Sequence, residues 1–221
     1  MQRRRFLTLA GTGAVGSLAG CGGSGGSAGE GGQSLREHPA AAGLDALPRR
    51  GPLDGHAVLT FEDPSCSRCR AFHEDVVPEI RSNVVDPGEG AYILRTYPVV
   101  YPWGEPATQA LASTYARSDP AFWSLLDHYF TNQGQFEADD VLDRTEAFLG
   151  AETDLDGGAV VADAESETHD EAVRGNLAAA DDAGLGRTTP VVLLFRDGEY
   201  VTSANGSVSY DLIAETLGVD G

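Results

Sequence analysis

The chain has 221 residues, of which 41% are hydrophobic, so it can bury the core of one domain of ordinary size. Its 34 acidic residues outnumber 15 basic ones, which gives a formal net charge of −19, and every basic residue is arginine. Because nucleic-acid binding requires a positive surface, this charge balance argues against a nucleic-acid partner.

An acidic composition without lysine resembles that of proteins from extreme halophiles, in which many surface carboxylates keep the protein hydrated in concentrated salt. The plainer interpretation is a soluble acidic protein. Strong salt screens charges that are more than a few ångströms apart, so we expect long-range electrostatic steering to contribute little.

The first 20 residues have the features of an export signal. Arginines at 3–5 precede a mildly apolar stretch that is shorter than the roughly 20 apolar residues needed to cross a bilayer. The arginine pair resembles the twin-arginine signals of proteins that are exported folded, and residues 18–21 (Leu-Ala-Gly-Cys) resemble a lipoprotein cleavage signal. That resemblance implies a lipid on Cys21, which would anchor the mature chain to the outer face of the membrane. The alternative is an ordinary cleaved signal with an incidental cysteine.

A linker is predicted after the signal. Residues 22–32 are mainly glycine and serine without apolar periodicity, which is typical of a flexible tether. Residues 33–54 are rich in proline, alanine and glycine and predict no regular element. We therefore expect a signal peptide at 1–20, a lipidated cysteine and tether at 21–52, and a folded domain at 53–221.

Apolar runs and turn residues beyond that point predict alternating strands and helices. The predicted strands are at about 56–61, 91–97, 191–195 and 200–204. The predicted helices are at about 66–82, interrupted at Pro78, and at about 106–117, 120–132, 137–149, 159–183 and 209–217. Asp197-Gly198 predicts a two-residue hairpin turn between the last two strands.

The order of these elements is strand-helix-strand, then a helical block at about 106–183, then strand-strand-helix. The first strand pair needs a right-handed crossover, and the second pair is a hairpin. We therefore predict an α/β thioredoxin fold, with a central mixed sheet flanked by helices and a helical insertion.

Cys66 and Cys69 enclose Ser67 and Arg68 where the first strand meets the first helix. Cysteines at this spacing lie one turn apart on the same helical face, close enough to form a disulfide. Cys66 also lies at the positive end of the helix dipole, which favours the thiolate that attacks disulfides. The pattern indicates thiol–disulfide exchange, with Cys66 as nucleophile and Cys69 as resolving thiol. Arg68 adds a charge that would stabilise the thiolate, or is simply a solvated surface residue.

A metal site and a structural disulfide account less well for the cysteine pair. A structural zinc site would need two more ligands, and the chain has no second cysteine pair, although His56 and His73 could be recruited. A disulfide between cysteines three positions apart removes little chain entropy and stabilises a fold poorly. We expect neither a metal nor a cofactor.

The chain resembles the DsbA-like branch of the thioredoxin superfamily over about residues 55–217. The matching blocks are residues 58–73, 77–80, 92–98 and 186–198. The first contains the cysteine pair, and the last contains Thr189 and Pro190 directly before an apolar strand. The resemblance implies that the Thr189–Pro190 peptide bond is cis, faces the cysteines and binds the incoming substrate chain. The alternative is a proline that simply opens an edge strand.

One position departs from the family pattern. Many relatives carry a buried acid six residues before the first cysteine, where it exchanges a proton with the resolving thiol, and here that residue is Thr60. A threonine hydroxyl is neither an acid nor a base near neutral pH. Glu62, water or another group must then handle the proton.

Other polar residues near the pair have simpler expected roles. Glu62 and Asp63 would raise the pKa of Cys66 if their side chains approached it. Asp63 or Ser65 is expected to cap the helix. His73, one turn after Cys69, is expected to be a packed or surface residue rather than a proton relay.

These observations together predict an exported, lipid-tethered enzyme that exchanges disulfides with protein substrates as an oxidant. It would work with a membrane redox partner and act as a monomer. A reductase or isomerase, for example in cytochrome maturation, is one alternative. A lipoprotein that binds a partner through a thioredoxin scaffold with vestigial cysteines is another, because fold alone does not establish function.

Overall fold

A five-stranded mixed sheet organises the protein, whose computed structural model describes residues 32–219. The strand order across the sheet is β1-β3-β2-β4-β5. The strands are β1 (Arg49–Arg50), β2 (His56–Glu62), β3 (Gly90–Thr96), β4 (Val191–Arg196) and β5 (Glu199–Asn205). The pair β2–β3 is parallel and the other pairs are antiparallel, as predicted for a thioredoxin fold.

Eight α-helices flank the sheet in the described part of the chain. They are α1 (Ser67–Asp75), α2 (Val77–Ile80), α3 (Gly104–Tyr115), α4 (Asp119–Thr131), α5 (Val141–Glu152), α6 (Gly157–Glu165), α7 (Asp170–Asp182) and α8 (Tyr210–Leu217). Helices α3 to α7 form the predicted insertion between β3 and β4. None of the helices within residues 32–219 is long and apolar enough to span a membrane.

The predicted interruption of the first helix occurs where Pro78 requires it. Pro78 has no N–H, and its ring would clash with the carbonyl group four residues earlier, so α1 ends at Asp75 and α2 starts at Val77. A π-helical turn, Arg81–Val85, then continues α2.

The two faces of the sheet carry separate hydrophobic clusters because successive strand residues point to opposite sides. Val58 and Tyr92 belong to the cluster that contains Cys66 and Cys69. The alternate residues of each strand, such as Leu59, point to the other side and belong to the cluster beneath α7 and the N-terminal segment (residues 32–52). The face that holds the cysteines and the rear face of the sheet are therefore packed by different parts of the chain.

The single helix predicted at 159–183 is wrong. The structure has two helices there, α6 and α7, with residues 166–169 between them. Glu167 has a positive φ of 51°, and the N–H of Thr168 donates to the carbonyl of Asp163, which closes the end of α6. Dense acidic residues with a thin apolar stripe concealed this break in the sequence.

The tether predicted for 21–52 is also wrong over residues 32–52. Leu35, Leu44 and Leu47 are buried on the rear face of the sheet, and β1 pairs with β3. Their irregular spacing matches neither the helical nor the strand period, so periodicity did not reveal them. The predicted signal peptide and Cys21 lie outside the described residues.

Truncation of Leu44 tests whether the N-terminal segment belongs to the folded domain. Leu44 is 5% exposed, and we expect Leu44→Ala to lower the free energy of unfolding by about 2–5 kcal/mol, because it removes buried methyl groups and leaves a cavity. Leu212→Ala is the matched control, because Leu212 is 43% exposed, and its effect should stay within about 0.5 kcal/mol. Urea unfolding in molar salt measures both, and equal effects would mean that the segment is not part of the core.

Candidate active site

Both cysteines lie at the junction between β2 and α1. Cys66 is the N-cap residue of α1, and its carbonyl accepts the first helical hydrogen bond, from the N–H of Arg70 at 3.0 Å. Cys69 follows one turn later, and both thiols are free and buried. The chain therefore places two reduced sulfurs together at the positive end of a helix.

The Thr189–Pro190 segment faces this pair, although it is 123 residues away from Cys66 in the chain. The peptide bond is cis, as the family resemblance implied. The Cys66 thiol donates a hydrogen bond to the Thr189 carbonyl at 3.5 Å. The two sequence blocks that carried the resemblance thus meet at one site.

The surroundings of Cys66 lower the pKa of its thiol from an ordinary 9.0 to about 5. The largest cause is a hydrogen bond from the Cys69 thiol to the Cys66 sulfur. The Thr189 side chain and the backbone N–H groups of Cys69 and Arg68 add to it, whereas burial opposes it. Cys66 is therefore a thiolate at neutral pH.

Arg68 acts on this sulfur through its backbone. Its N–H is the part of Arg68 that lowers the pKa of Cys66. The guanidinium belongs to an exposed residue and lies 3.6 Å from the position that a Cβ on Gly206 would take. The predicted stabilisation by the arginine charge stays a prediction.

Cys69 has the opposite environment. Burial raises the pKa of its thiol well above the ordinary value, and its hydrogen bond to Cys66 and the negative charge of Glu62 raise it further. The two sulfurs therefore differ strongly in proton affinity, with Cys66 ionised and Cys69 protonated near pH 7.

Glu62 is a buried acid on the side of the sheet that holds the cysteines, two residues after Thr60. Residues two apart in a strand share a face, so Glu62 lies on the same face of β2 as Thr60. Glu62 is buried, and its Oε1 accepts a hydrogen bond of 2.6 Å from the Tyr92 hydroxyl. Its Oε2 has no partner among the described residues. Burial raises the pKa of this carboxyl, which makes Glu62 a stronger base than an exposed glutamate.

His73 is packed, as expected, and it also contacts the carboxylate of Asp127. Its ring lies 4.7 Å from that of Phe130, and its Nε2 lies 2.6 Å from Oδ1 of Asp127. The charge of His73 lowers the pKa of Glu62, opposing the effect of burial. His73 therefore contacts a surface carboxylate, and its charge acts on Glu62 without a hydrogen bond between them.

The expectation that Asp63 or Ser65 caps α1 is wrong, because no side chain caps this helix. Instead, the buried Asp63 carboxylate accepts hydrogen bonds from the N–H and hydroxyl of Ser65, at 2.7 and 2.6 Å. Its other oxygen accepts the N–H groups of Val99 and Val100, at 2.7 and 2.8 Å. Asp63 thus joins the Cys66 loop to the loop after β3.

The loop after β3 presents two apolar side chains beside the site. Val100 is 41% exposed and Tyr101 is 58% exposed, whereas Trp103 is buried against Phe136. The N–H of Tyr101 donates to Ser65 Oγ at 3.1 Å, which ties this exposed pair to the residue before Cys66. An exposed apolar surface therefore lies next to the Cys66 loop.

Gln133 supports the Cys66 loop from the helical insertion. Its Nε2 donates to the carbonyls of Pro64 and Cys66, at 2.8 and 3.0 Å. Sequence reasoning did not find Gln133, because nothing local marks a glutamine that lies 67 residues from its partner. Only the packing of the insertion brings it here.

Comparison with known proteins agrees with this geometry. A family model described as thioredoxin matches residues 54–211, so the chain belongs to the thioredoxin family. No curated protein matches the sequence significantly. With the Cys66–Cys69 pair at its site, the protein is a thiol–disulfide oxidoreductase.

Solved structures show the particular form of the fold. Oxidised BdbD from Bacillus subtilis superposes with a TM-score of 0.69 at 19% identity, covering 79% of this chain and 92% of that one. Wolbachia pipientis alpha-DsbA1 superposes with a TM-score of 0.63 at 18% identity, covering 78% of this chain and 91% of that one. Chlamydia trachomatis DsbA superposes with a TM-score of 0.62 at 21% identity, covering 78% of this chain and 90% of that one. The chain therefore has the thioredoxin fold with the helical insertion that these DsbA structures carry.

Titration of the reduced protein tests the origin of the low Cys66 pKa. We expect the thiolate absorbance of Cys66 to appear as the pH rises through about 5. Cys69→Ala should move this midpoint upward, because it removes the largest stabilising hydrogen bond. Arg68→Gln keeps its backbone N–H and should leave the midpoint nearly unchanged. A larger shift in Arg68→Gln than in Cys69→Ala would assign the effect to the guanidinium charge instead.

Proposed function

We propose that this protein oxidises the thiols of other proteins outside the cytoplasm, by passing on the Cys66–Cys69 disulfide. The observation that carries the proposal is the contrast between the two thiols, since Cys66 has a pKa of about 5 and Cys69 stays protonated. A stable Cys66 thiolate stabilises the reduced form, and a stable reduced form makes the disulfide a strong oxidant.

The reaction balances without a cofactor. A substrate thiolate attacks Cys66 Sγ of the disulfide, the Cys66–Cys69 bond breaks, and Cys69 takes up a proton. A second substrate thiolate then attacks the substrate sulfur of the mixed disulfide and releases Cys66 as a thiolate. Two electrons pass from two substrate thiols to the cysteine pair. In the reverse direction, Cys69 resolves the mixed disulfide.

The low pKa of Cys66 accounts for part of the expected oxidising power. For a two-electron couple, each pH unit between the Cys66 pKa and the working pH contributes about 30 mV. A pKa of about 5 therefore raises the reduction potential by about 60 mV at pH 7, relative to an unperturbed thiol.

Substrate binding is assigned to Thr189, Pro190 and the exposed Val100–Tyr101 surface. The Thr189 carbonyl accepts a hydrogen bond from Cys66 only while Cys66 is a protonated thiol, so this acceptor is free when Cys66 is ionised or joined in a disulfide. An extended substrate chain would use it for a backbone hydrogen bond. Val100 and Tyr101 would contact apolar side chains near the substrate cysteine, which suits polypeptides that are not fully folded.

Proton transfer at Cys69 is assigned to Glu62. Cys69 must gain a proton when it leaves the disulfide and lose one when it attacks, yet it is buried away from solvent. The Glu62 charge acts directly on the Cys69 pKa, and the unpartnered Oε2 is available for the proton. Glu62 would thus replace the acid that many relatives carry at the position of Thr60.

The cellular setting belongs to the same proposal. A twin-arginine signal at 1–20 would export the folded chain, and a lipid on Cys21 would hold it at the outer face of the membrane, where a membrane redox partner restores the disulfide. The protein would act as a monomer in concentrated salt. The sequence patterns support this setting, and these residues lie outside the described part of the chain.

The reduction potential and its pH dependence test the direction of exchange. Equilibration with glutathione buffers in molar salt should place the potential near about −120 mV, among strong oxidants. Between the two thiol pKa values the couple takes up one proton, so the potential should fall by about 30 mV per pH unit above pH 5 and twice as steeply below it. A potential near about −270 mV would indicate a reductase, and a pair that does not exchange would indicate a binding protein.

The isosteric variant Glu62→Gln tests the proton transfer. Because the pKa of Glu62 is raised, the carboxylate forms only as the pH rises through that raised value, and resolution of the mixed disulfide by Cys69, which must lose its proton, should accelerate over the same range. We expect Glu62→Gln to slow this resolution by about 100-fold or more and to remove its pH dependence. The exposed Glu79→Gln should change neither property. An unchanged pH profile in Glu62→Gln would assign the proton to another group.

A further inference from the structure

A cavity of about 590 Å³ lies away from the cysteines, between the N-terminal segment, the end of β3 and the helices α3, α4 and α7. Its walls are mainly apolar and include Leu47, Leu94, Tyr115, Phe122 and Val173. The volume falls in the range of about 300–1,000 Å³ that is typical of small-molecule sites. The active-site residues described above are not part of its walls, so it is a separate feature.

Arg95 lines this cavity and is a buried cation, only 2% exposed. Its guanidinium donates to the backbone carbonyls of Ala40 and Ala42 and to Oδ1 of Asn176, all of which are neutral. No carboxylate among residues 32–219 pairs with it. Burial lowers the pKa of Arg95 to about 10, with no charged neighbour contributing.

An unpaired buried cation is exceptional in so acidic a chain. Charged groups are expensive to bury without an opposite charge. Of the other arginines within residues 32–219, five form ion pairs with carboxylates, namely Arg36, Arg70, Arg117, Arg144 and Arg174. The six others, at positions 49, 50, 68, 81, 187 and 196, form none, but all are more exposed, so Arg95 is distinguished by being both unpaired and buried. A guanidinium has five N–H donors, so Arg95 keeps donor capacity beyond its three protein acceptors.

We propose that the cavity binds an amphipathic carboxylate, whose apolar body contacts the cavity wall and whose head pairs with Arg95. A planar guanidinium matches a carboxylate in charge and geometry, and the pair is strong where water is excluded. The other ionisable groups of the wall are Tyr115, His169 and Glu171. Tyr115 donates its hydroxyl to the Leu47 carbonyl, His169 lies 3.6 Å from Asp163, and Glu171 is exposed. Arg95 therefore sets the preference for an anion.

Burial of the pair also suits concentrated salt. Exposed ion pairs weaken as the ionic strength rises, whereas an ion pair with Arg95, which is itself only 2% exposed, would be screened less. The apolar contribution to binding does not depend on charge. The site would therefore retain its ligand under conditions in which a surface site for an anion would lose it.

Calorimetric titration of the folded protein in molar salt tests the proposal, with decanoate as the probe and decanol as its uncharged counterpart. We expect decanoate to bind at least about tenfold more tightly than decanol, because only the carboxylate pairs with Arg95. Arg95→Met should abolish this preference, with circular dichroism used to verify that the variant is folded. Equal binding of the two probes by the unmodified protein, or no binding of decanoate, would overturn the proposal.

Two variants, one that fills the cavity and one that does not, locate the site without altering Arg95. Gly175 in α7 lines the cavity, and a Cβ there meets no atom within 4 Å, so Gly175→Phe should fold and obstruct the ligand. Gly150 in α5 is also open around its Cβ but lies outside the cavity, which makes Gly150→Phe the matched control. Decanoate binding should be lost in the first and retained in the second. Unchanged binding in Gly175→Phe would place the ligand elsewhere. Thiol exchange should be unaffected in both, so this result is independent of the redox function.

Discussion

The buried carboxylate of Asp63 holds the two loops that make the active site. Its oxygens accept hydrogen bonds from Ser65 on one side and from Val99 and Val100 on the other, and no cation of the described chain pairs with it. A buried anion without a counter-ion requires such donors, so these loops must stay together. Gly104 completes the arrangement, because a Cβ there would lie 2.6 Å from the carboxylate. The position of Cys66 and that of the apolar surface beside it therefore depend on one charge.

The chemistry that rests on this scaffold is short-range. The contrast between Cys66 and Cys69 comes from hydrogen bonds and burial rather than from the net charge of the protein. Interactions of this kind survive in strong salt, whereas surface charge effects are screened. A pair of titratable groups whose environments push their pKa values apart is a general way to divide roles in an active site. Here one sulfur is kept ready to leave or attack, and the other keeps its proton.

Most of the sheet and the cysteine site could be predicted from sequence, because both depend on residues that are close together in the chain. Buried strands such as β2 and β4 appear as short apolar runs, and the hairpin turn at Asp197 and Gly198 has the residues that positive φ angles require. The failures have a physical pattern. The segment 32–52 packs through isolated leucines without periodicity, and the break between α6 and α7 depends on a positive φ at Glu167, which no residue type announces.

The sequence by itself determined the reaction class, because two cysteines at the start of a helix and a distant Thr-Pro before an apolar strand each carry a chemical meaning. Only the tertiary structure decided which groups tune that reaction. It brought Thr189 to Cys66, placed Glu62 where its charge raises the pKa of Cys69, and placed Gln133 on the Cys66 loop. The physical reason is that pKa shifts arise from burial and from contacts of a few ångströms between residues far apart in the chain. Such contacts depend on how the helical insertion and the strands pack, and they leave no local trace in the order of residues.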